Sequence, residues 1–470
     1  MSVSSIDELK GLFRAHGVST VYVKHLSLKQ DNEKNQIYLG GGLDGVRNLF
    51  PATIKARSPS ESTRKRKSQS GKPKLEARID LAWVGPNRDV HPAPNARIID
   101  YFQYPEVRMS GFLRGCDFAP DALRRRHQAE YGQRILTLGT SPDGQVIGLV
   151  LTERDDPVVR DFPELPALLA ASVFRVLVID GRSGAAPIDL LKAELAHVIS
   201  NGWHASRILK AGSAAPKPFK GDQGGGYTLE ALLGITANAK KAPDKYGFEI
   251  KSYRSSPVSL MTPTPDGGFQ GDNSFREFMD RYGRPGEKGD GSQLFTGRHR
   301  CGKVNDRTGM ILRVAGYNPV SDSFDEDTKN VAVELVHAAT EELIAAWSLE
   351  HLANSWNRKH ASAVYVRNKM KKAPAGFEHD ASYAYEPTVI VGRGTDVWRL
   401  LRAIAVGTVF YDPGDSIYAD GKAKVRPQWR INASRLSKAI EPLYDSVEEI
   451  TLKGEAALPA PDLAEPMLPL

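Results

Sequence analysis

Residues 243–252 read PDKYGFEIKS, and the strand within them decides how the C-terminal half of the chain folds. Successive side chains of a β-strand point to opposite faces of its sheet. Phe248 and Ile250 would therefore face a hydrophobic core, whereas Glu249 and Lys251 would share the other face. The pattern predicts a strand that carries a carboxylate and an ammonium group side by side.

A third charged residue, Asp244, can join this pair. Pro243 and Gly247 bracket a tight connection that would bring Asp244 back beside Glu249. Two adjacent carboxylates repel each other, and a bound divalent metal removes the repulsion; oxygen ligands suit Mg²⁺, for which Mn²⁺ is expected to substitute. Lys251 would orient an attacking water and offset the charge that develops on a phosphodiester.

The preceding segment, GYTLEALLG at residues 226–234, offers a further carboxylate. It is predicted to form a short helix with Thr228 at its N-cap, on which Glu230 could reach the metal or its water. The glycines at 224–226 would let the backbone approach a ligand or act as a hinge. The alternative is that Asp-x4-Glu-x-Lys describes only an amphipathic edge strand with solvated charges.

The sequence reads GGGYTLEALLGITANAKKAPDKYGFEIKSY over residues 224–253 and SPVSLMTPTPDGG over residues 256–268. These segments resemble the core of the MvaI/BcnI restriction endonuclease family. The resemblance continues in the family's order, over about residues 220–450, with WNRKHASAVYV at 356–366, GTDVWRLLRAI at 394–404, QWRI at 428–431 and LSKAIEPLY at 436–444.

This family consists of PD-(D/E)xK nucleases related to the MutH mismatch-repair nickase. The resemblance implies that Asp244, Glu249 and Lys251 form a Mg²⁺-dependent catalytic site, with Asp244 and Glu249 as metal ligands and Glu230 close by. Short members of the family act as monomers and cut one DNA strand at a time within a short GC-containing sequence. A monomer that acts on duplex DNA is therefore expected, in a long form with an extra N-terminal domain.

A chain of 470 residues is expected to form two or three domains of roughly 100–200 residues. The expected fold is α/β, with a restriction-endonuclease-like core in the C-terminal half and a mixed α+β domain before it. The predicted divisions are an N-terminal recognition, sensing or regulatory domain at 1–212, a Gly/Pro linker at 213–226, a nuclease domain with a DNA-recognition lobe at 227–452, and a poorly ordered tail at 453–470.

Apolar spacing predicts several elements in detail. A helix is expected over 5–16 with a Ser N-cap, and another over 186–203. A long helix is predicted over 327–360 because apolar residues recur there at helical spacing. The segment KVRPQWRIN at 424–432 is predicted to be a strand.

Two parts of the sequence concentrate donors that could read DNA, since Arg bound to guanine is the commonest specific base contact. The alternative for each donor is an ordinary surface or helix-cap residue, and His299 could also support the catalytic groups. The predicted DNA-binding residues are Arg298, His299, Arg300, Lys303, Arg358, Lys359, His360, Arg426 and Arg430.

The overall charge favours an anionic partner only mildly, with a formal net charge of +7. Much of this charge lies in residues 55–78, which contain nine Lys or Arg against two Glu. This stretch is either an arm that contacts phosphates or a solvated loop.

Other classes of protein are disfavoured. The two cysteines are far apart and form neither a disulfide framework nor a zinc motif. No signal peptide or apolar run of about 18 residues is present, so a cytoplasmic protein without a membrane segment is expected. The sequence also lacks a nucleophile elbow, a phosphate-binding loop and a dinucleotide motif.

Three functions fit these observations. The first is a Mg²⁺-dependent DNA endonuclease of the restriction type, which nicks one strand at a time. The second is a conditional nickase in DNA repair or phage defence, activated by a partner or by modified DNA. The third is a catalytically silent DNA-binding protein. A cognate methyltransferase or a defence-system protein is a further expected partner.

Overall fold

The structure is a computed structural model, which describes residues 2–28, 36–41, 50, 52–56, 75–101, 106–141, 143–165, 173–179, 187–213, 215–237, 244–255, 257–287, 289–356 and 359–452. Pro243, Arg358, the tail 453–470 and most of the basic stretch 55–78 lie outside these ranges. None of the helices within them combines the length and apolar character that a membrane span requires.

The N-terminal half is built mainly from strands. Its helix α1, Ile6–Ala15, begins where the predicted cap Ser5 accepts a hydrogen bond from the backbone of Glu8, and it buries Leu9 and Phe13. The strands are β1 Thr20–Leu26, β2 Gln36–Gly41, β3 Ala52–Ala56, β4 Leu75–Ile79, β5 Leu81–Val84, β6 Val90–Pro92, β7 Arg97–Tyr101, β8 Glu106–Ser110, β9 Arg134–Thr140, β10 Val146–Thr152 and β11 Arg175–Val178.

These strands form two sheets, with orders β11-β1-β9-β10-β5-β6 and β2-β8-β7-β4-β3. Their buried faces share a core in which Trp83 packs edge-on against Phe112 and donates its indole N–H to the Phe112 carbonyl at 2.8 Å. A buried Trp with a satisfied N–H fixes how the sheets meet.

The C-terminal half alternates helices and strands. The helices are α2 Pro187–Ser200, α3 Gly224–Leu232, α4 Gly268–Asp272, α5 Phe275–Tyr282, α6 Leu349–Trp356, α7 Val397–Ala405 and α8 Leu436–Ile440. The strands are β12 His204–Ala205, β13 Arg207–Ile208, β14 Lys217–Pro218, β15 Glu249–Tyr253, β16 Val258–Met261, β17 Arg284–Pro285, β18 Gln293–Thr296, β19 Met310–Ala315, β20 Tyr317–Asn318, β21 Ser323–Phe324, β22 Ala332–His337, β23 Leu343–Ser348, β24 Ser362–Lys372, β25 Ala381–Arg393, β26 Val409–Tyr411, β27 Gly414–Ile417, β28 Ala423–Lys424, β29 Trp429–Ile431 and β30 Ser446–Thr451.

The central sheet of this half has the order β12-β25-β24-β15, with β30 also beside β25. Strand β15 is parallel to β24, and the other pairs are antiparallel. Helices α2 and α3 cover one face, where Ile250 is buried, and a larger core that includes Tyr365 covers the other. This mixed α/β arrangement is the restriction-endonuclease-like core that was predicted, and it leaves β15 at an edge of the sheet.

Helix α2 lies with this sheet, although the predicted division at residue 212 assigns it to the N-terminal domain. Its apolar face, with Leu191, Leu195 and Val198, packs in the same cluster as Ile250 of β15. The next strand, β12, pairs with β25. The packing therefore favours a boundary before residue 187, because the apolar face of α2 is buried on the C-terminal side.

The long helix predicted over 327–360 is wrong. Residues 332–348 form the hairpin β22–β23, which turns at Glu341 with φ of 56°, and α6 is the one α-helix among the described residues of the predicted span. Val331, Val333 and Leu335 are buried alternately, and β-branched residues favour this pleated arrangement. The helical spacing was misleading because apolar residues at every second and every fourth position coincide over short stretches.

Two smaller predictions also need correction. The predicted strand 424–432 is interrupted, since only β28 and β29 pair and Pro427 between them has no N–H to donate to a ladder. Helix α3 begins at Gly224 and not at Thr228, whose hydroxyl instead accepts the Arg207 N–H at 3.1 Å. A side chain at Gly224 would place its Cβ 2.6 Å from Tyr383 Oη, so this glycine allows close packing rather than a hinge.

Candidate active site

The edge strand β15 carries two of the predicted catalytic residues on one face. Glu249 is 3% exposed, and Lys251 Nζ lies 2.9 Å from Glu249 Oε1. Phe248 and Ile250 point into the cluster beneath α2 and α3, as the alternation predicts. The two largely buried charges stabilise each other, because removing either one would leave the other without compensation.

A tight turn returns Asp244 to the same strand. Tyr246 and Gly247 have φ of 50° and 82°, a combination typical of a type I′ turn, and the Phe248 N–H donates to the Lys245 carbonyl at 2.8 Å. Asp244 Oδ2 then accepts the backbone N–H of Ile250 at 2.8 Å. The turn brings together charges that the sequence separates.

Two carboxyl groups of this site, those of Asp244 and Glu230, have raised pKa values. Burial and the nearby Glu249 charge raise the pKa of Asp244 to about 7. Burial and Glu249 also raise the pKa of Glu230, which α3 places beside the strand. The site therefore concentrates more negative charge than its surroundings compensate, which is the condition that a bound cation relieves.

Lys359, predicted to bind DNA, lies within this cluster. Its Nζ is 3.3 Å from Glu249 Oε1. Burial alone would lower the pKa of Lys359, but Glu249, Asp244 and Glu230 outweigh burial and raise it. The position follows from topology: β24 runs parallel to β15, so the residues just before β24 reach the same end of the sheet as the Asp244 turn. Recognising β24 as the neighbouring parallel strand would have found this lysine.

The residues fit a hard divalent cation. Glu249 Oε2 is buried and has no hydrogen-bond partner among the described residues. No group of three His, Cys, Asp or Glu side chains in that part of the chain is arranged as a metal cage. Mg²⁺ usually binds through one or two carboxylates and keeps several waters, which suits Asp244 and Glu249.

The DNA-binding prediction is wrong for both histidines, because neither ring reaches solvent. His360 stacks on Trp356 with ring centroids 4.1 Å apart; burial, Lys251 and Lys359 hold its pKa well below the ordinary value. His299 packs against Phe295 and lies 2.9 Å from Thr308 Oγ1, and burial lowers its pKa to about 4.

The other predicted DNA-binding residues between 298 and 303, which precede the β22–β23 hairpin, differ in exposure. The Arg298 side chain is 55% exposed and Lys303 is exposed, so both can meet a ligand. Arg300 lies 4.4 Å from the centre of the Phe410 ring and donates to the Gly407 carbonyl, which gives it a structural role.

A cavity of about 540 Å³ opens beside the end of β15, and Arg426, Gln428 and Arg430 line it. Arg430 is held by Asp412 Oδ2 at 2.9 Å, and Gln428 Nε2 donates to Ser259 Oγ at 3.1 Å. The structure thus brings Arg426 and Arg430 next to the catalytic strand. Gln428 was missed because a lone Gln carries no charge signal.

Comparison with known proteins gives a family match. Residues 192–439, more than half of the chain, match the profile of the MvaI/BcnI restriction endonuclease family. Among solved structures, one similar protein is restriction endonuclease MvaI in complex with cognate DNA substrate, at 22% identity and a TM-score of 0.42, covering 57% of this chain and 99% of that one. Another is MvaI without DNA, at 18% identity and a TM-score of 0.31, covering 58% and 100%. No curated protein matches the chain.

Asp244 gives the metal-free protein a defined pH dependence. The pKa of Asp244 is 3.8 in the unfolded chain and about 7 in the folded protein. Ionisation of Asp244 therefore lowers the free energy of unfolding as the pH rises from about 4 to about 7. Asp244→Asn removes this cost while retaining an oxygen acceptor for Ile250. We expect the variant to exceed wild type in free energy of unfolding by about 4 kcal/mol at pH 8 and about 1 kcal/mol at pH 4.5.

Urea unfolding in a metal chelator at both pH values measures this difference. Asp272→Asn, which changes an exposed carboxylate on α4, is the matched control and should change stability little at either pH. A gain from Asp244→Asn that is equal at both pH values, or larger at pH 4.5, would contradict the assignment.

Proposed function

The chain belongs to the MvaI/BcnI restriction endonuclease family of DNA-cleaving hydrolases, and from this premise we propose that it is a Mg²⁺-dependent endonuclease that hydrolyses phosphodiester bonds in duplex DNA. The observation that carries the proposal is the convergence of Asp244, Glu249, Lys251 and Lys359 at one edge of the central sheet. Carboxylates and cations so arranged suit an ion and a phosphate side by side.

Asp244 and Glu249 would hold Mg²⁺, for which Mn²⁺ would substitute. Bound there, the metal would polarise the phosphodiester and lower the pKa of a bound water. Glu249 offers its buried Oε2 to the ion while Oε1 remains paired with Lys251. On metal binding, Asp244 would release its proton to solvent, since the positive ion would offset the burial and the Glu249 charge that raise its pKa.

The two lysines would act on the phosphate. Lys251 is placed to hold the attacking water and to donate to a phosphate oxygen. Lys359 stays protonated because the surrounding carboxylates raise its pKa, so it would neutralise charge in the transition state rather than remove a proton. Glu230 would orient a metal-bound water from α3.

DNA would lie across the edge strand. Arg426 and Arg430 line the adjacent cavity and are proposed to contact bases, together with Gln428. Arg298 and Lys303 are exposed and are proposed to contact phosphates, which position a duplex without reading its sequence. Arg358 remains a proposed contact beside Lys359.

We further propose that the protein acts in the cytoplasm as a monomer that cuts one strand per encounter, in the manner of a MutH-like nickase. A restriction role would require a cognate methyltransferase to protect the host DNA. We propose the predicted division into an N-terminal domain at 1–212, a linker at 213–226, a nuclease domain at 227–452 and a tail at 453–470 with one change, which is that α2 belongs to the nuclease domain and the N-terminal domain ends before residue 187.

Conditional activity in repair or phage defence, triggered by a partner or by modified DNA, is the second candidate, because one contact links the two halves at the catalytic turn. Tyr246 packs against both the N-terminal core and the cluster beneath α2. Its hydroxyl donates to Glu194 Oε1 at 2.6 Å, and a Cβ at Gly247 would lie 3.5 Å from Tyr22 Oη. A movement of the N-terminal domain would therefore displace Tyr246, which is two residues from Asp244 in the sequence.

Cleavage of supercoiled plasmid DNA tests the main proposal. With Mg²⁺ or Mn²⁺, wild type should convert supercoiled plasmid to nicked circles before linear molecules. Asp244→Ala and Lys251→Ala should each lower the rate at least about 100-fold, because the first removes a proposed metal ligand and the second removes the cation that would offset the developing charge. Undiminished cleavage by Asp244→Ala would refute the assignment, and binding without cleavage by wild type would favour the silent DNA-binding protein.

The contact at Tyr246 predicts a positioning effect. Tyr246→Phe removes a hydrogen bond to a carboxylate, worth about 1.5–3 kcal/mol, and should lower kcat about tenfold while leaving the KM for DNA unchanged. The matched control is Tyr282→Phe, which loses an equivalent hydrogen bond to Glu342 Oε1 at 2.8 Å on another element. Equal kcat values for the two variants would show that the Tyr246 bond is only structural.

A further inference from the structure

The catalytic face of the central sheet continues beyond the active site as a row of basic side chains. Arg367, Lys369 and Lys371 alternate along β24 with inward-facing residues. We propose that this row, here called the basic row, contacts the phosphate backbone of duplex DNA on one side of the cut. The inference rests on the proposed endonuclease function and adds a contact surface to it.

Strand pairing places the basic row on the catalytic face. Lys251 is the register partner of Tyr365, and Tyr253 is the partner of Arg367. Odd-numbered residues of β24 therefore share the face of Glu249 and Lys251, whereas the even-numbered Val364 and Val366 pack in the opposite cluster beneath α2. The alternation continues past the end of β15, where the β24–β25 hairpin extends further.

The exposure of the basic row suits a ligand. The side chains of Arg367 and Lys369 are 55% and 68% exposed, and Lys371 is exposed. Lys371 Nζ lies 4.1 Å from the centre of the Trp203 ring, a cation–π contact that holds the ammonium group in place. All three cations are thus exposed to a ligand, and the ammonium group of Lys371 is also held in place by Trp203.

One nearby carboxylate, that of Glu386, reduces the net positive charge of the basic row. Glu386 lies 3.9 Å from Arg367 and 3.6 Å from Lys369. Both distances are long for ion pairs between exposed side chains, and such pairs contribute little to stability. Three closely spaced like charges, two of which lie near Glu386, favour a polyanion over a protein surface of mixed charge.

The dimensions match a duplex flank. A strand rises about 3.3 Å per residue, so Lys371 lies about 20 Å along β24 from the level of Tyr365 and its register partner Lys251. At about 3.4 Å per base pair, this length corresponds to about six base pairs beyond the active site. The contact would not depend on sequence, because the row carries only phosphate-binding charges.

Salt-dependent binding of a duplex of about 30 base pairs tests the proposal. The measurements use Asp244→Asn as the background, so that the DNA stays intact. Replacing Arg367, Lys369 and Lys371 with Gln should reduce the slope of log K against log salt by two to three, at about 0.9 per lost phosphate contact. Binding at 0.1 M salt should weaken at least about tenfold.

Two further variants separate local contact from net charge. Glu386→Gln should strengthen binding, since it frees two cations of the basic row. Gln at Lys10, Lys329 and Lys438 removes the same total charge from other elements and should change the slope less. An equal effect of both triple variants, or weaker binding by Glu386→Gln, overturns the proposal. Failure of wild type to cut DNA would count against the endonuclease function instead, because these binding measurements do not depend on cleavage.

Discussion

The ion pairing of one buried carboxylate supports the whole site. Glu249 is almost completely enclosed at the edge of the central sheet, where Lys251 and Lys359 approach the same oxygen at 2.9 and 3.3 Å. A carboxylate in this position is stable only with such partners. Burial, and after it the charge of Glu249, raise the pKa of Asp244 and Glu230. A bound divalent ion would relieve the repulsion among these carboxylates and would at the same time attract a phosphate.

This arrangement depends on three elements that the sequence keeps far apart. Strand β15 supplies Glu249 and Lys251, the segment just before β24 supplies Lys359, and helix α2 contacts the Asp244 turn through Glu194. Glu194 accepts from Tyr246 Oη at 2.6 Å and pairs with Lys245 Nζ at 2.5 Å. Since Tyr246 also packs on the N-terminal core, the additional domain of this chain contacts the turn that positions a proposed metal ligand.

Local sequence patterns predicted much of the candidate site, whereas the features that they missed depend on packing between segments that are distant in the sequence. The alternation Phe248–Glu249–Ile250–Lys251 was sufficient to place the charges on one face, because a strand has a strict period of two. Lys359 was assigned to DNA because only its neighbours in sequence were visible, whereas its position beside Glu249 follows from a parallel strand pair. His299 and His360 were misassigned because burial cannot be read from residue type, and helical spacing between 327 and 360 also fitted a hairpin.

Direct titration of Mn²⁺ into the metal-free protein tests the central claim, that Asp244 and Glu249 form a site for a divalent ion. Asp415→Asn is a suitable control because Asp415 is also buried, with a pKa raised to about 6 by burial, and has no proposed catalytic role. We expect one bound ion per chain in wild type and in Asp415→Asn, and none in Asp244→Asn or Glu249→Gln. Unchanged Mn²⁺ binding in Asp244→Asn and Glu249→Gln would contradict the central claim.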